Sequence, residues 1–298
     1  MGNGRRGRPV GAVALRRLTP TQEERREKLA FLGQARERVD RSVFEAKYPS
    51  EVPRHLPGRG RRAKGLTQLE VGRLLGLRDG TWYAELERGL ISNAPEERLL
   101  QIAELLGLTA RQYEFLRVYA CRPRPQYQPV TVPDGYRDVL DLYQGPAYIQ
   151  DHCWNLMPPR MYNAHAEALL AGIPDDFNFL RWMLLNEKVR KAPENGAVHA
   201  WLPQFWEVWA PRALSVARAT FVRHPDDPTL AQLDEELAAD PDIGPLYRGK
   251  LPLYAHTDGD LRPFAHGTTG EVGWVRINVL NPHGSGATLL LLNWKPAR

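Results

Sequence analysis

The chain has 298 residues, enough for two cores, with 43% hydrophobic residues and two cysteines, Cys121 and Cys153. No apolar run approaches the roughly 20 residues of a membrane helix. The basic N-terminus lacks the apolar stretch of a signal peptide, and two cysteines make neither a disulfide framework nor a zinc quartet, so a reduced, cytoplasmic protein with no membrane partner is expected.

The charge is uneven. Residues 1–125 hold 25 of the 40 Lys and Arg but 15 of the 35 Asp and Glu, which leaves the remainder net acidic. A polyanion is therefore expected to meet only the first part. Residues 1–20 are rich in Gly, Arg and Pro and are expected to form a disordered basic tail. Within it, Arg6-Gly7-Arg8-Pro9 has the core of an AT-hook, whose arginines lie in a narrow minor groove; a plain basic tail attracted to phosphate is the alternative.

Thr21 caps a helix over roughly 22–42, with Leu29, Leu32, Ala35, Val39 and Val43 as its buried stripe. Pro49, Pro53 and Pro57 hold an extended connection. The loop from Gly58 to Gly65 carries Arg59, Arg61, Arg62 and Lys64 and ends at a helix start, where dipole and side chains both favour phosphate. That helix, Thr67 to Leu75, begins with a capping box, because Glu70 stands three residues after Thr67. Leu66 and Val71 make a hydrophobic staple, and Val71, Leu74 and Leu75 give the apolar spacing. Gly76 stops the helix. Asp79 caps a second helix carrying Trp82, Tyr83 and Leu86, which ends at Gly89. Two short helices around a glycine turn are a helix-turn-helix signature. Pro95 opens a further helix through Leu99, Ile102 and Leu106 to Gly107, and Thr109 or Ala110 opens the last, through Leu116 to Ala120.

Cys121–Pro133, with four prolines, reads as an extended linker. Beyond it, Ala147–Asp151 and Asn155–Tyr162 are expected strands. Helices follow at Ala164–Ala171, Phe177–Asn186, Trp201–Arg223 and Thr229–Ala239. Pro211 either kinks the third or begins a new one. Arg262–His266 is a further strand. Val275, Ile277 and Val279 then alternate against Trp274, Arg276 and Asn278, and Ala287–Trp294 returns after a turn. The total is about five strands.

The run TQLEVGRLLGL…WYAELERG resembles helix-turn-helix regulators of the phage-repressor (xenobiotic-response-element, XRE) class. Arg61-Arg62, Gly65-Leu66, Glu70-Val71, Trp82-Tyr83 and Leu86-Glu87-x-Gly89 sharpen this to a resemblance to MmyB-like regulators. Their pattern recurs further on in Gly145-Pro146-Ala147, Tyr162-Asn163, Asn178-x-Leu180-Arg181, His224-Pro225-x-Asp227-Pro228-x-Leu230, Glu235-Glu236-Leu237 and His266-x-x-x-Gly270-Glu271. There are two departures. Gly76-Leu77-Arg78-Asp79 is one residue longer than the family's turn, and Glu85 stands where arginine is frequent.

The resemblance implies an α+β chain: an all-α, five-helix repressor-type domain followed by a PAS-like α+β domain with an antiparallel sheet around a small-molecule pocket. The expected boundaries are 1–20 tail, 21–120 DNA-binding domain, 121–133 linker and 134–298 ligand-binding domain. It implies a transcriptional regulator, a homodimer on a two-fold DNA operator, placed with the nucleoid in the cytoplasm. The recognition helix is expected to start at Asp79 and to present Gly80, Thr81, Ala84 and Glu85 to bases. Gln68, Arg61, Arg62, Lys64 and Arg88 are expected near phosphates, Thr67, Arg78 and Asp79 are further expected DNA-binding residues, and Trp82 is expected in the core or on the phosphate side.

In the second half, Trp154, Trp182 and Trp206 are candidates for an apolar, fatty-acid-like effector site between sheet and helices. Ordinary core is the alternative use of these rings, and a dimerisation or protein-partner module is the alternative use of the domain. No enzyme activity, cofactor or metal is expected. His256, Asp258, Asp260 and His266 read as a hydrated loop, and His152 and Cys153, if on one strand, point to opposite faces.

Overall fold

The computed structural model describes residues 20–42, 65–121, 131–174, 176–282 and 285–297. The candidate AT-hook, the loop carrying Arg61, Arg62 and Lys64, and most of the proline-rich connection after Cys121 lie outside them.

The chain is α+β, with a helical first half and a four-stranded antiparallel sheet in the second. The first half contains α1 (Gln22–Lys28), α2 (Phe31–Arg38), α3 (Gln68–Leu74), α4 (Thr81–Glu87), α5 (Glu96–Leu106) and α6 (Ala110–Ala120). The single helix expected over 22–42 is broken at Leu29–Ala30. There the amides of Ala30 and Leu32 reach back only three residues, to Glu27 and Leu29. Leu29, Leu32 and Ala35 still face inward, so the apolar stripe survives the break. They join Leu66, Val71, Tyr83, Leu86, Leu99, Ile102, Phe115 and Leu116 in one core. Truncating any of these leucines to alanine costs about 2–5 kcal/mol on the usual scale.

The second half contains α7 (Gly135–Leu142), β1 (Ala147–Gln150), α8 (Ala164–Leu170), α9 (Phe179–Leu185), a 3-10 turn at Glu187–Arg190, a π turn at Phe205–Trp209, α10 (Ala210–Arg223), α11 (Pro228–Ala239), α12 (Ile243–Arg248), β2 (Asp260–Ala265), β3 (Val272–Leu280) and β4 (Thr288–Pro296). The sheet order is β1-β4-β3-β2, with Ala147 opposite Leu291, Val275 opposite Trp294 and Arg262 opposite Val275. Val275 and Ile277 point into the main core while Trp274 and Arg276 point out, as the alternation requires. β1 is buried on both faces. Its Tyr148 packs toward the helical block, whereas Ala147 and Ile149 meet Leu140 of α7, Met157 and Met161.

Among the described residues, four strands stand where about five were expected. Asn155–Tyr162 makes only isolated bridges, at Asn155, Leu156 and Tyr162. Pro158 and Pro159 interrupt it and have no amide hydrogen to continue a ladder. The expected helix at Trp201 begins only at the π turn, and Pro211 lies in the first turn of α10, where its missing amide costs nothing. The two halves touch. Val222 near the end of α10 is buried in the first half's core. Arg218 pairs with Glu24 at 2.8 Å, Arg223 pairs with Glu114, and Lys28 donates to the Leu251 carbonyl at 2.9 Å.

Candidate nucleic-acid interface and ligand cleft

The α3–α4 unit is organised by its ends. Thr67 Oγ1 accepts from the Glu70 amide at 3.2 Å, and Glu70 Oε2 accepts from the Thr67 amide at 2.6 Å, so the capping box is closed. Glu70 is 1% exposed and is also paired with Arg41. Burial alone would raise its carboxyl; the Thr67 amide and hydroxyl and the Arg41 guanidinium outweigh that and hold it below the ordinary value. Its contribution is therefore complete above the ordinary carboxyl range, roughly pH 4.3, and is lost as pH falls through the depressed folded value. Glu70→Gln is expected to cost about 2 kcal/mol at neutral pH, with the gap to the wild type closing in acid. Chemical denaturation followed by helix circular dichroism at several pH values checks it, and a pH-independent gap would contradict it.

After α3 the chain turns at Gly76, with φ +71°, a conformation suited to glycine. The helices then approach closely: a Cβ on Gly72 would stand 2.1 Å from the Asp79 carbonyl oxygen, and one on Gly80 would stand 2.7 Å from Gln68 backbone. The second helix starts at Thr81 rather than Asp79. Gly80 occupies the cap position, and Asp79 Oδ1 accepts from the Thr81 amide at 2.9 Å. Asp79 is held below its usual carboxylate range first by that amide hydrogen bond.

The inner side of α4 is occupied. Tyr83 and Leu86 are fully buried. Glu87 accepts from Gln68 Nε2 at 2.5 Å and from Arg36 Nε at 2.9 Å, which ties α2, α3 and α4 together. Arg98 lies 5.1 Å over the Trp82 ring, so Trp82 is engaged on the core side. The outer side exposes Arg78, Asp79, Thr81 and Arg88, with Thr67, Gly80, Ala84 and Glu85 half-buried beside them. Arg73 of α3 is exposed as well. It was not among the expected DNA-binding residues, although its place between the inward-facing Val71 and Leu74 puts it on the outer face.

In the second half the three candidate tryptophans do not converge. Trp182 lines a cleft of about 440 Å³ together with Leu170, Phe177, Arg181, Lys188 and His199. Trp154 instead sits edge-on to Phe221, with centroids 6.3 Å apart. Trp206 is 44% exposed and leans on Phe205. The cleft is lined by the end of α8, by α9 and by the 3-10 turn, and Trp182 on its wall stacks on Phe264 of β2, with centroids 6.3 Å apart. Arg181 belongs to a family motif, Lys188 and His199 to none, and the three come from separate segments that only the fold brings together. Of the residues read as a hydrated loop, His256 stays within electrostatic range of Asp258 and Asp260, while His266 stands apart. Asp260 pairs with Arg212 and Arg262, Asp258 accepts from the Val279 amide, and His266 packs on Trp294.

The residues that carry the family resemblance serve as helix caps and ties between elements. Asn163 caps α8 and Asn178 caps α9. Arg181 makes a two-pronged pair with Glu236 of α11, at 2.7 and 3.1 Å. Asp227 caps α11 through Oδ1, which accepts from the amides of Thr229 and Leu230. The model of the family described as "MmyB-like transcription regulator ligand binding domain" matches residues 132–298.

The chain belongs to this family.

No curated protein matches it. As an MmyB-like regulator it carries a transcription regulator's ligand-binding domain over its second half. Among the described residues, no helix is long and apolar enough to cross a membrane. The MmyB-like half also brings His152 Nε2 to 2.8 Å from Asp227 Oδ2, and Cys153 Sγ to 3.6 Å from the same oxygen. β1 ends at Gln150, and His152 and Cys153 occupy a turn rather than a strand. The alternation that would have sent them to opposite faces therefore does not apply. Burial, with Asp151 and Asp227 nearby, pushes the Cys153 thiol up, which is the reverse of an activated nucleophile.

Proposed function

We propose that this MmyB-like regulator is a sequence-specific DNA-binding protein. In this reading residues 21–120 form the DNA-binding domain, 121–133 the linker and 134–298 the ligand-binding domain. It binds a two-fold operator as a homodimer in the cytoplasm, at the nucleoid. The observation that carries the reading is the α3–α4 unit: a closed capping box, a glycine turn, backbone contact through Gly72 and Gly80, and an exposed α4 start at Thr81 flanked by Arg73, Arg78 and Arg88. Thr81, Ala84 and Glu85 face bases, and the arginines, with Arg61, Arg62 and Lys64, face phosphates. The effector is small and apolar with an acidic end. Phe177, Trp182 and Leu170 supply the cleft's apolar wall, and Arg181, Lys188 and His199 supply its polar groups.

The experiment is genome-wide mapping of DNA bound by the purified protein, followed by affinity measurements on the operator found. Thr81→Ala is expected to lose about 1–3 kcal/mol at one base pair of each half-site and to relax preference there. A sequence preference indifferent to Thr81, Ala84 and Glu85 would place the reading face elsewhere. Fatty acids titrated into the same assay are expected to change operator affinity and tryptophan fluorescence together, and operator DNA must shift fatty-acid affinity by the same factor.

A second use of the C-terminal half, dimerisation, is favoured by apolar side chains left on its surface. Leu142 is 76% and Val139 43% exposed on α7.

A further inference from the structure

We infer that the corner joining α10 to α11 is a binding site for a thiophilic divalent metal ion such as Zn²⁺, held by His152, Cys153 and Asp227 with His224 as the fourth donor. The donor set is an imidazole nitrogen, a thiol sulfur, a carboxylate oxygen and a second imidazole, which is the mixed N, S and O chemistry that zinc accepts. The ligating atoms of His152, Cys153 and Asp227 all lie within 4.8 Å of one another. With bonds of about 2.0–2.3 Å, tetrahedral ligand atoms stand roughly 3.3–3.8 Å apart. The Cys153–Asp227 separation of 3.6 Å already matches such an edge. The His152–Asp227 separation of 2.8 Å needs to open slightly. The His224 ring lies 4.8 Å from that of His152, centroid to centroid. Neither of its nitrogens has a hydrogen-bond partner among the described residues.

The supports are in place as well. Asp151 Oδ1 accepts from the amides of Cys153 and Asn155, both at 2.8 Å, and so shapes the turn that brings His152 and Cys153 to one side. Asp227 uses Oδ1 to cap α11, at 2.9 Å from the Thr229 amide, which orients Oδ2 toward the other donors. A bound dication displaces the thiol proton outright. The position matters because His224 directly follows Val222 and Arg223, both of which touch the first half. An ion at this corner braces the end of α10 where it meets those helices.

The test uses the full chain, stripped with chelator and titrated with Co²⁺ as the spectroscopic probe. One Co²⁺ per chain is expected, with tetrahedral visible bands and a thiolate-to-cobalt charge-transfer band, both bleached when Zn²⁺ displaces it. Cys153→Ser is expected to abolish the charge-transfer band, while Cys121→Ser keeps it. Asp227→Asn retains a helix-capping oxygen, so its expected loss of at least tenfold in affinity reports the ligand and not the cap. His224→Ala is expected to lose at least tenfold while keeping the thiolate band; unchanged affinity there would strike His224 from the set. A folded wild-type chain that shows no thiolate band, or a band that survives Cys153→Ser, overturns the site.

Discussion

Asn163→Asp is expected to destabilise the C-terminal half by about 3–5 kcal/mol at neutral pH, more than Asn163→Ala does. The side chain is 5% exposed and every polar contact it makes is internal. Its Oδ1 accepts from the amides of Ala147 at 3.1 Å and Ala166 at 3.0 Å. Its Nδ2 donates toward the carbonyls of Leu140, Tyr143 and Gly145, at 3.0, 3.2 and 2.8 Å. One amide thus joins the end of α7, the start of β1 and the start of α8. Aspartate keeps the accepting edge but turns the donating edge into an oxygen facing three carbonyls. Alanine leaves those carbonyls without a donor; a carboxylate adds repulsion and a buried charge. The variant carboxyl would have a folded pKa above its unfolded value, so its deficit grows as pH rises through the acid range and shrinks as pH falls. Urea denaturation at neutral and acid pH distinguishes the cases. An aspartate variant as stable as the wild type at neutral pH would mean that the amide edge has been assigned the wrong way round.

Gly72→Ala is the second large effect. In an exposed helix interior this change stabilises by about 1 kcal/mol. Here the new methyl would stand 2.1 Å from the Asp79 oxygen and 2.9 Å from Gly80 Cα, both backbone atoms that cannot rotate away. The clash outweighs the propensity gain, and a net loss of about 3 kcal/mol is expected, with α4 pushed off α3. On the proposed function, operator affinity falls at least a hundredfold. Gly33 in α2 supplies the contrast, because a Cβ there meets nothing within 4 Å. Gly33→Ala is expected to raise stability by up to about 1 kcal/mol and leave DNA binding unchanged. If Gly72→Ala behaved like Gly33→Ala in thermal denaturation and in DNA binding, the close packing of α3 on α4 would be wrong.

The parts of the fold legible in the sequence are those where local chemistry and tertiary demand coincide. Thr67 with Glu70, Gly76 and Gly89 mark helix ends by side-chain hydrogen bonds and backbone sterics, which act within a few residues. The alternation of Val275 and Ile277 against Trp274 and Arg276 likewise needs only one buried face. Other features depend on partners distant in sequence. The stripe of Leu29, Leu32 and Ala35 reads as one helix because a short break preserves which residues face inward. α7 and α12, of 8 and 6 residues, are too short to show a periodicity of their own. Aromatic richness was legible, but not that Trp182 lines a cleft while Trp154 lies against Phe221 and Trp206 faces outward. The meeting of His152 and Cys153 with Asp227 was hidden for a different reason. A strand reading assigns side chains by parity, and parity fails once the chain turns after Gln150.

Val222 belongs to the second half of the chain yet is buried in the core of the first. Neither half can therefore melt without exposing apolar surface of the other, and the chain is expected to unfold calorimetrically as one coupled unit. A ligand held only by the C-terminal half at a hundred times its dissociation constant contributes about 2.7 kcal/mol to the native state. Part of that stabilisation passes through α10 to helices the ligand never touches, so a molecule bound in the cleft slows amide exchange in α1 and α6.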